Sequence, residues 1–251
     1  MDPRLVCETR PPTSDGKAMT NLDIYCAGAA RAVVSALIRT FSRETGCEVN
    51  DMYGAVGYLK DRVVAGNRPD VVILTPVQID ELAEGGLVQR ESRLDLGEVG
   101  TAVAVRAGTP VPPVAQETEL RATLLEARRI LCPDPAVATA GQVLLDVLAR
   151  LHIREAIMPR LEFTHNGYEA MARLADGAGS REIGVVQLTE ILACDALVLA
   201  GPLPSSLQRM TTYAAALVPG GSNPAAAAAF LDRLRLDETR AMLRHAGFVL
   251  A

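Results

Sequence analysis

Between Leu22 and Gly86 the chain alternates three times between an apolar, strand-like run and an amphipathic stretch, and few folds accept that order. "LDIYCA" (22–27) precedes Val33, Val34, Leu37, Ile38 and Phe41, which recur at helical spacing up to Gly46. "CEVNDMY" (47–53) leads through the small-residue turn "GAVG" (54–57) into a short helix, "YLKDRVVAG" (58–66). "PDVVILT" (69–75) is a continuous apolar run of the kind buried on both faces of a sheet. "PVQIDELAEGG" (76–86) is a helix opened by Pro76 and stopped by glycine. This βαβαβα order predicts a parallel sheet covered by helices.

A second block repeats the alternation less regularly. Strands are expected over 100–108, 128–133, 161–166 and 181–187, and helices over 117–127, 140–153, 168–177 and 188–193. Two further strands (195–204 and 211–219) and two closing helices (223–235 and 237–247) follow, with Asn223 as an N-cap and Gly247 as a stop. The expected class is therefore α/β, with two lobes and a cleft between them. Lobe 1 comprises 21–92 and 200–251, lobe 2 comprises 93–199, and 1–20 is a disordered lead-in. A chain of 251 residues suffices for two such units.

Composition excludes several function classes. No apolar run approaches the roughly 20 residues that span a bilayer, so no membrane insertion is expected. The net charge of −5 is spread without a basic stripe, which argues against a nucleic-acid partner. The 5 cysteines form no CxxC pair, and Cys26, Cys47, Cys132 and Cys194 sit in or beside apolar runs as small hydrophobes. His152, His165 and His245 are isolated, so no metal site and no cofactor are expected. "MDPRLVCETRPPTSDGKAMT" lacks the apolar core of a secretory signal, and Met19 is an alternative start. The expected location is cytoplasmic, or periplasmic if the true N-terminus lies elsewhere.

In open α/β sheets, ligands sit beyond the carboxyl ends of strands, near helix starts. Four places meet that description: 27–31, 54–58, 75–77 and 136–142. The first holds Ala29, Ala30 and then Arg31, a cation that opposes the dipole of its helix unless an anion offsets it. The second holds Ala55 and Val56, the third Thr75, and the fourth Thr139, the expected cap of its helix, and Ala140. Gln187 ends a strand that faces the same space.

The segments "LDIYCAGAARAVVSALIRTFSRETGCEV", "GYLKDRVVAGNRPDVVILT", "PDPAVATAGQVLLDVLARL", "REIGVVQLTEI" and "GPLPSSLQ" resemble, in order, the molybdate-type substrate-binding proteins of ABC transporters. The resemblance covers roughly residues 20–250 and implies the type II periplasmic-binding-protein fold, with chain crossings near 92–99 and 194–201. In that family a serine of the first loop, a serine-rich second loop and a tyrosine of the second lobe bind the oxyanion. The matching positions here are Ala29, Gly54-Ala55-Val56-Gly57 and Gln187. A hydrogen bond to a charged group contributes about 1.5–3 kcal/mol, so losing two or three of them lowers molybdate affinity by several powers of ten.

The expected function is therefore that of a non-enzymatic, cleft-closing binding protein for a small anionic molecule, an organic acid rather than molybdate. Its carboxylate would rest on the amides of 29–31 and its carbon body on Ala55, Val56 and Thr75. An ABC permease is a partner only for an exported form. The alternative is an isomerase or lyase acting on a small organic acid. That reading requires an acid–base pair in the cleft, and His165, Asp70, Glu182 and Glu190 form none by spacing.

Overall fold

The structure, a computed structural model, describes residues 21–250. The chain starts with β1 (Asn21–Ala27), α1 (Arg31–Thr45), β2 (Glu48–Gly54), α2 (Val56–Val64), β3 (Val71–Leu74), α3 (Pro76–Glu84) and β4 (Leu94–Val99). It continues through β5 (Thr101–Arg106), α4 (Glu117–Glu126), β6 (Arg129–Pro133), α5 (Thr139–Arg150), α6 (Arg154–Ile157), β7 (Leu161–Thr164) and α7 (Gly167–Ala175). β8 (Glu182–Gln187), α8 (Leu188–Leu192), β9 (Leu197–Pro202), β10 (Thr211–Leu217), α9 (Pro224–Arg235) and α10 (Asp237–His245) complete it.

Two five-stranded sheets result, ordered β2-β1-β3-β10-β4 and β7-β6-β8-β5-β9. They share one plan: three parallel strands, then two that complete the sheet antiparallel. Parallel strands need helical crossovers, and the sequence alternation supplies them. β3 is central in the first sheet and all four of its residues are buried, as its unbroken apolar run requires. α1 buries Val33, Val34, Leu37, Ile38 and Phe41 and ends where Gly46, at φ +69°, returns its N–H to Ser42. Phe41 meets Phe230 of α9 edge to face, with ring centroids 5.4 Å apart.

The crossings fall elsewhere than the sequence implies. Leu94–Val99 pairs with β10 in the first sheet, although the sequence pattern places 93–99 in the second lobe. Leu197–Pro202 pairs with β5 in the second sheet, so 200–202 belongs there too. The chain passes between sheets at Gly100 and again over 203–210. The reason is the sparse patterning of "LDLGEV", whose edge strand has one face in water and breaks at Gly97. Gln208 ties the two crossings together: Thr101 N–H donates to its Oε1 at 3.0 Å, and its Nε2 donates to the Thr101 carbonyl at 2.8 Å.

Of the cysteines, Cys26, Cys47 and Cys132 are buried and Cys194 is half-buried; Cys7 and Met19 lie outside the described residues. No described helix is long and apolar enough to cross a membrane.

Candidate functional site

The carboxyl ends of β1, β2, β6 and β8 converge on a small, partly open cavity of about 30 Å³ between the lobes. By the ~10–15 Å³ that a water needs, it has room for about two waters. The first-lobe wall is Ala27, Gly28, Ala29, Gly54, Ala55 and Val56, with Tyr213 of β10. The second-lobe wall is Pro133, Ala138, Thr139, Ala140, Asn166, Gly167, Gln187 and Glu190. Helices α2, α5 and α7 begin in this wall, where first-turn N–H groups have no intrahelical partner; among them, Gly57 N–H of α2 donates to the Val137 carbonyl and Glu169 N–H of α7 to Asn166 Oδ1.

Six of the nine sequence candidates meet here: Ala29, Ala55, Val56, Thr139, Ala140 and Gln187. Three do not. Ala30 is fully buried in the first-lobe core. Thr75 turns to its own helix α3, donating from Oγ1 to Gln78 Oε1 at 2.9 Å. Arg31 is exposed, because the single 3-10 turn at Gly28–Ala30 keeps residues 28 and 29 on the cavity and swings the next side chain outward. Its guanidinium stacks between Tyr168 of α7, at 4.6 Å from the ring centroid, and Tyr53 of β2, at 5.2 Å. Arg31 thus bridges the lobes outside the cavity.

The cavity carries a polar network joining both lobes. Gln187 Nε2 donates to Thr139 Oγ1 at 3.0 Å and to Thr211 Oγ1 of β10 at 3.3 Å. Thr139 Oγ1 lies 3.5 Å from Tyr213 Oη. Gln187 Oε1 faces the Glu190 N–H in a capping-box arrangement, but no hydrogen bond of normal geometry reaches it. Thr139 opens α5, with Ala138 rather than Thr139 at the cap position.

Glu190 is the site residue that spacing does not single out from the other three acid–base candidates. Its side chain reaches back to the start of α8, where Gln187 N–H donates to Oε2 at 3.3 Å. It is 4 % exposed. Burial pushes its carboxyl up to about 7, against the lowering effect of that N–H. The carboxyl fills the space where a Cβ at Gly28 or Gly167 would stand, so a side chain at either position would displace it. Burial likewise pushes the Tyr213, Tyr168 and Cys26 protons to higher pH.

The other acid–base candidates lie elsewhere. Asp70 accepts from Asp23 N–H, Ser222 Oγ and Asn223 N–H at 2.7–3.0 Å and fixes the opposite end of β3. Glu182 stands beside Arg129, outside the cavity. His165 is 90 % exposed and pairs with Glu169, whose carboxyl it draws down to about 2 together with Arg173. Spacing does not select Asn166, Gly167 and Tyr213 either, whereas Gly28 falls within the 27–31 stretch that it does select. A charged residue three places after a strand-ending glutamine, in an otherwise apolar run, is the available signal for Glu190. Among the described residues no cluster of His, Cys, Asp and Glu is arranged to hold a metal ion.

Two sheets of this topology, with a small cavity between them walled by helix starts, define the type II periplasmic-binding-protein fold. The sequence places the chain further: the family described as bacterial extracellular solute-binding protein matches residues 22–249, and this chain belongs to it. Among solved structures, the periplasmic molybdate-binding protein of Azotobacter vinelandii is similar at a TM-score of 0.78 and 20% identity, over 92% of this chain and 99% of that one. The sulfate-binding protein SubI of Mycobacterium tuberculosis is similar at 0.72 and 18% identity, over 91% and 86%. A curated relative, aconitate isomerase of a Pseudomonas species, is 24% identical over 249 residues, 94% of this chain and 90% of its own length.

Proposed function

We propose that a small organic acid binds between the lobes, reaching the small cavity from the larger adjoining cleft that shares Gly54, Ala55 and Asn166 with it, and that the two lobes close on it. The observation that carries this reading is Glu190, a buried carboxyl among methyl-bearing walls formed by Ala29, Ala55, Val56, Ala138 and Ala140. A dianionic oxyanion needs donors on every face, and methyl groups offer none. A carboxylic acid asks for less: peptide N–H groups at the starts of α2, α5 and α7 meet its charge, and the alanine and valine walls suit its carbon body. An ABC permease is the protein partner of an exported form.

The test is a thermal-shift and calorimetric comparison of small mono-, di- and tricarboxylates with molybdate and sulfate. A ligand at about 100 times its dissociation constant adds roughly 2.7 kcal/mol to stability. Carboxylates are expected to raise the melting temperature and molybdate to leave it unchanged; tight molybdate binding with no carboxylate response overturns the reading.

A second reading is favoured by the aconitate isomerase relative together with Glu190. On it the bound acid is isomerised, not only held. Water exclusion in a closed cleft suits proton transfer, and turnover of a bound acid separates the two readings.

A further inference from the structure

We propose that Glu190 moves a proton between two carbon atoms of the bound acid, so that the cavity isomerises an unsaturated carboxylic acid by shifting its double bond one position. This rests on the organic-acid reading of the cavity and names its substrate class: acids with a C–H bond between a carbon–carbon double bond and a carboxylate.

Position comes first. Glu190 is the carboxyl that lines the cavity, and its Oε1 and Oε2 lie against the backbone of Gly28 in one lobe and Gly167 in the other. Among the described residues it makes no ion pair, and its hydrogen bond from Gln187 N–H goes to Oε2, leaving Oε1 to the cavity. Gly28 and Gly167 leave room for the carboxyl between the two lobes, where it lines the cavity.

The surroundings supply what a carbanion-like intermediate needs. A base takes the proton, the C–H bond breaks, and its electron pair spreads over the double bond and the substrate carboxylate. The resulting negative charge falls on oxygens that the first-turn N–H groups of α2 and α5 can meet, with Thr139 and Tyr213 hydroxyls beside them. Protonated Glu190, whose acid proton exchanges with solvent, then gives a proton to the far allylic carbon. One C–H bond breaks, one forms and the double bond moves; no oxidant, reductant or metal is consumed. Tyr213 and Tyr168 do not compete for this role, because burial holds both protonated at neutral pH. A carboxyl that gains and loses its proton near neutrality is matched to the task.

The full chain is incubated in D2O with cis-aconitate, trans-aconitate or itaconate, and proton NMR follows deuterium entry and double-bond position. Tricarballylate, which is saturated, reports binding alone by thermal shift. The wild-type chain is expected to bind at least one unsaturated probe and to exchange its allylic protons. Glu190→Gln is expected to keep the tricarballylate shift and to lose exchange by 100-fold or more, within the ~10²–10⁴ typical of a general base. Should that variant fail to fold by circular dichroism, Glu190→Asp, with its carboxyl one methylene back, is expected to show the same split. Binding without exchange in the wild-type chain, or exchange at the wild-type rate in a folded Glu190 variant, overturns the inference and leaves organic-acid binding standing. No response to any carboxylate overturns both.

Discussion

Gly57 donates its peptide N–H to the Val137 carbonyl at 2.8 Å, and this one backbone hydrogen bond joins α2 of the first lobe to the loop before α5 of the second. A Cβ at position 57 would stand 2.9 Å from both the Cα and the carbonyl oxygen of Val137. The lobes close as far as they do because nothing projects from Gly57. Both partners are backbone, so neither can swing aside as a flexible side chain would.

Gly57→Ala is therefore expected to hold the cleft ajar without unfolding either lobe. Small-angle scattering should show a larger radius of gyration, and affinity for the best carboxylate should fall at least tenfold. The circular-dichroism spectrum should not change. An unchanged radius and affinity would remove Gly57 from the closure surface.

The buried amide of Gln187 supports a second expectation. Its Nε2 bonds span both sheets, to Thr139 and to Thr211. Gln187→Ala leaves those hydroxyls without their donor, and an orphaned buried polar group costs about 1–3 kcal/mol. Urea denaturation should show a loss of that size. A loss below about 0.5 kcal/mol would mean that the two threonines find other partners.

Glu190 makes stability depend on pH in a direction opposite to that of most carboxylates. Its folded value is raised from 4.5 to about 7, so its contribution is complete below about 4.5 and is lost as pH climbs through 7. Every tenfold difference in proton affinity between the folded and unfolded chain is worth about 1.4 kcal/mol, which puts the full loss at roughly 3 kcal/mol. The titratable groups around it hold their charge state across this window: Tyr168, Tyr213 and Cys26 stay neutral, since burial raises each. Glu169, held down at about 2, keeps its full contribution above about 4.5 and loses it progressively as pH falls from there to 2, outside this window. The difference in unfolding free energy between Glu190→Gln and wild type should thus grow in favour of the variant from pH 5 to pH 8. A difference that does not vary with pH would show that the carboxyl is solvated in the native state.

Arg31 lies outside the cavity, stacked between Tyr168 and Tyr53. Arg31→Ala is expected to weaken an anionic ligand and its neutral amide analogue by the same factor, less than tenfold, because it loosens closure rather than a charge contact. Selective loss of the anion, read by calorimetry, would return Arg31 to the ligand.

Gln208 clamps Thr101 at the point where the chain first changes sheet. Gln208→Ala should speed amide exchange at 101–103 by tenfold or more and leave exchange in β3 unchanged. Equal protection in both chains would show that the crossings do not depend on that side chain.

Most of the architecture is legible in the residue pattern. The apolar periodicity of α1, the unbroken run of β3 and the glycine and proline punctuation between elements are local signals, because each reports how its own segment must bury its apolar face. The small residues Ala29, Ala55 and Ala140 at helix starts were legible for the same reason, and they do converge on one cavity. The weak edge strand Leu94–Val99 and the second crossing were not legible, since a strand with one wet face and a glycine break carries little periodicity. Only the tertiary structure decided which polar groups enter the cavity. Glu190, Tyr213 and Gly28 come from three separated stretches, and no spacing along the chain encodes that they meet. Arg31 shows the converse: one turn of 3-10 geometry sent a charge two residues from the cavity wall to the tyrosines outside. Burial, which sets the proton affinity of Glu190, belongs to the assembled lobes, because water is excluded only once both walls are in place.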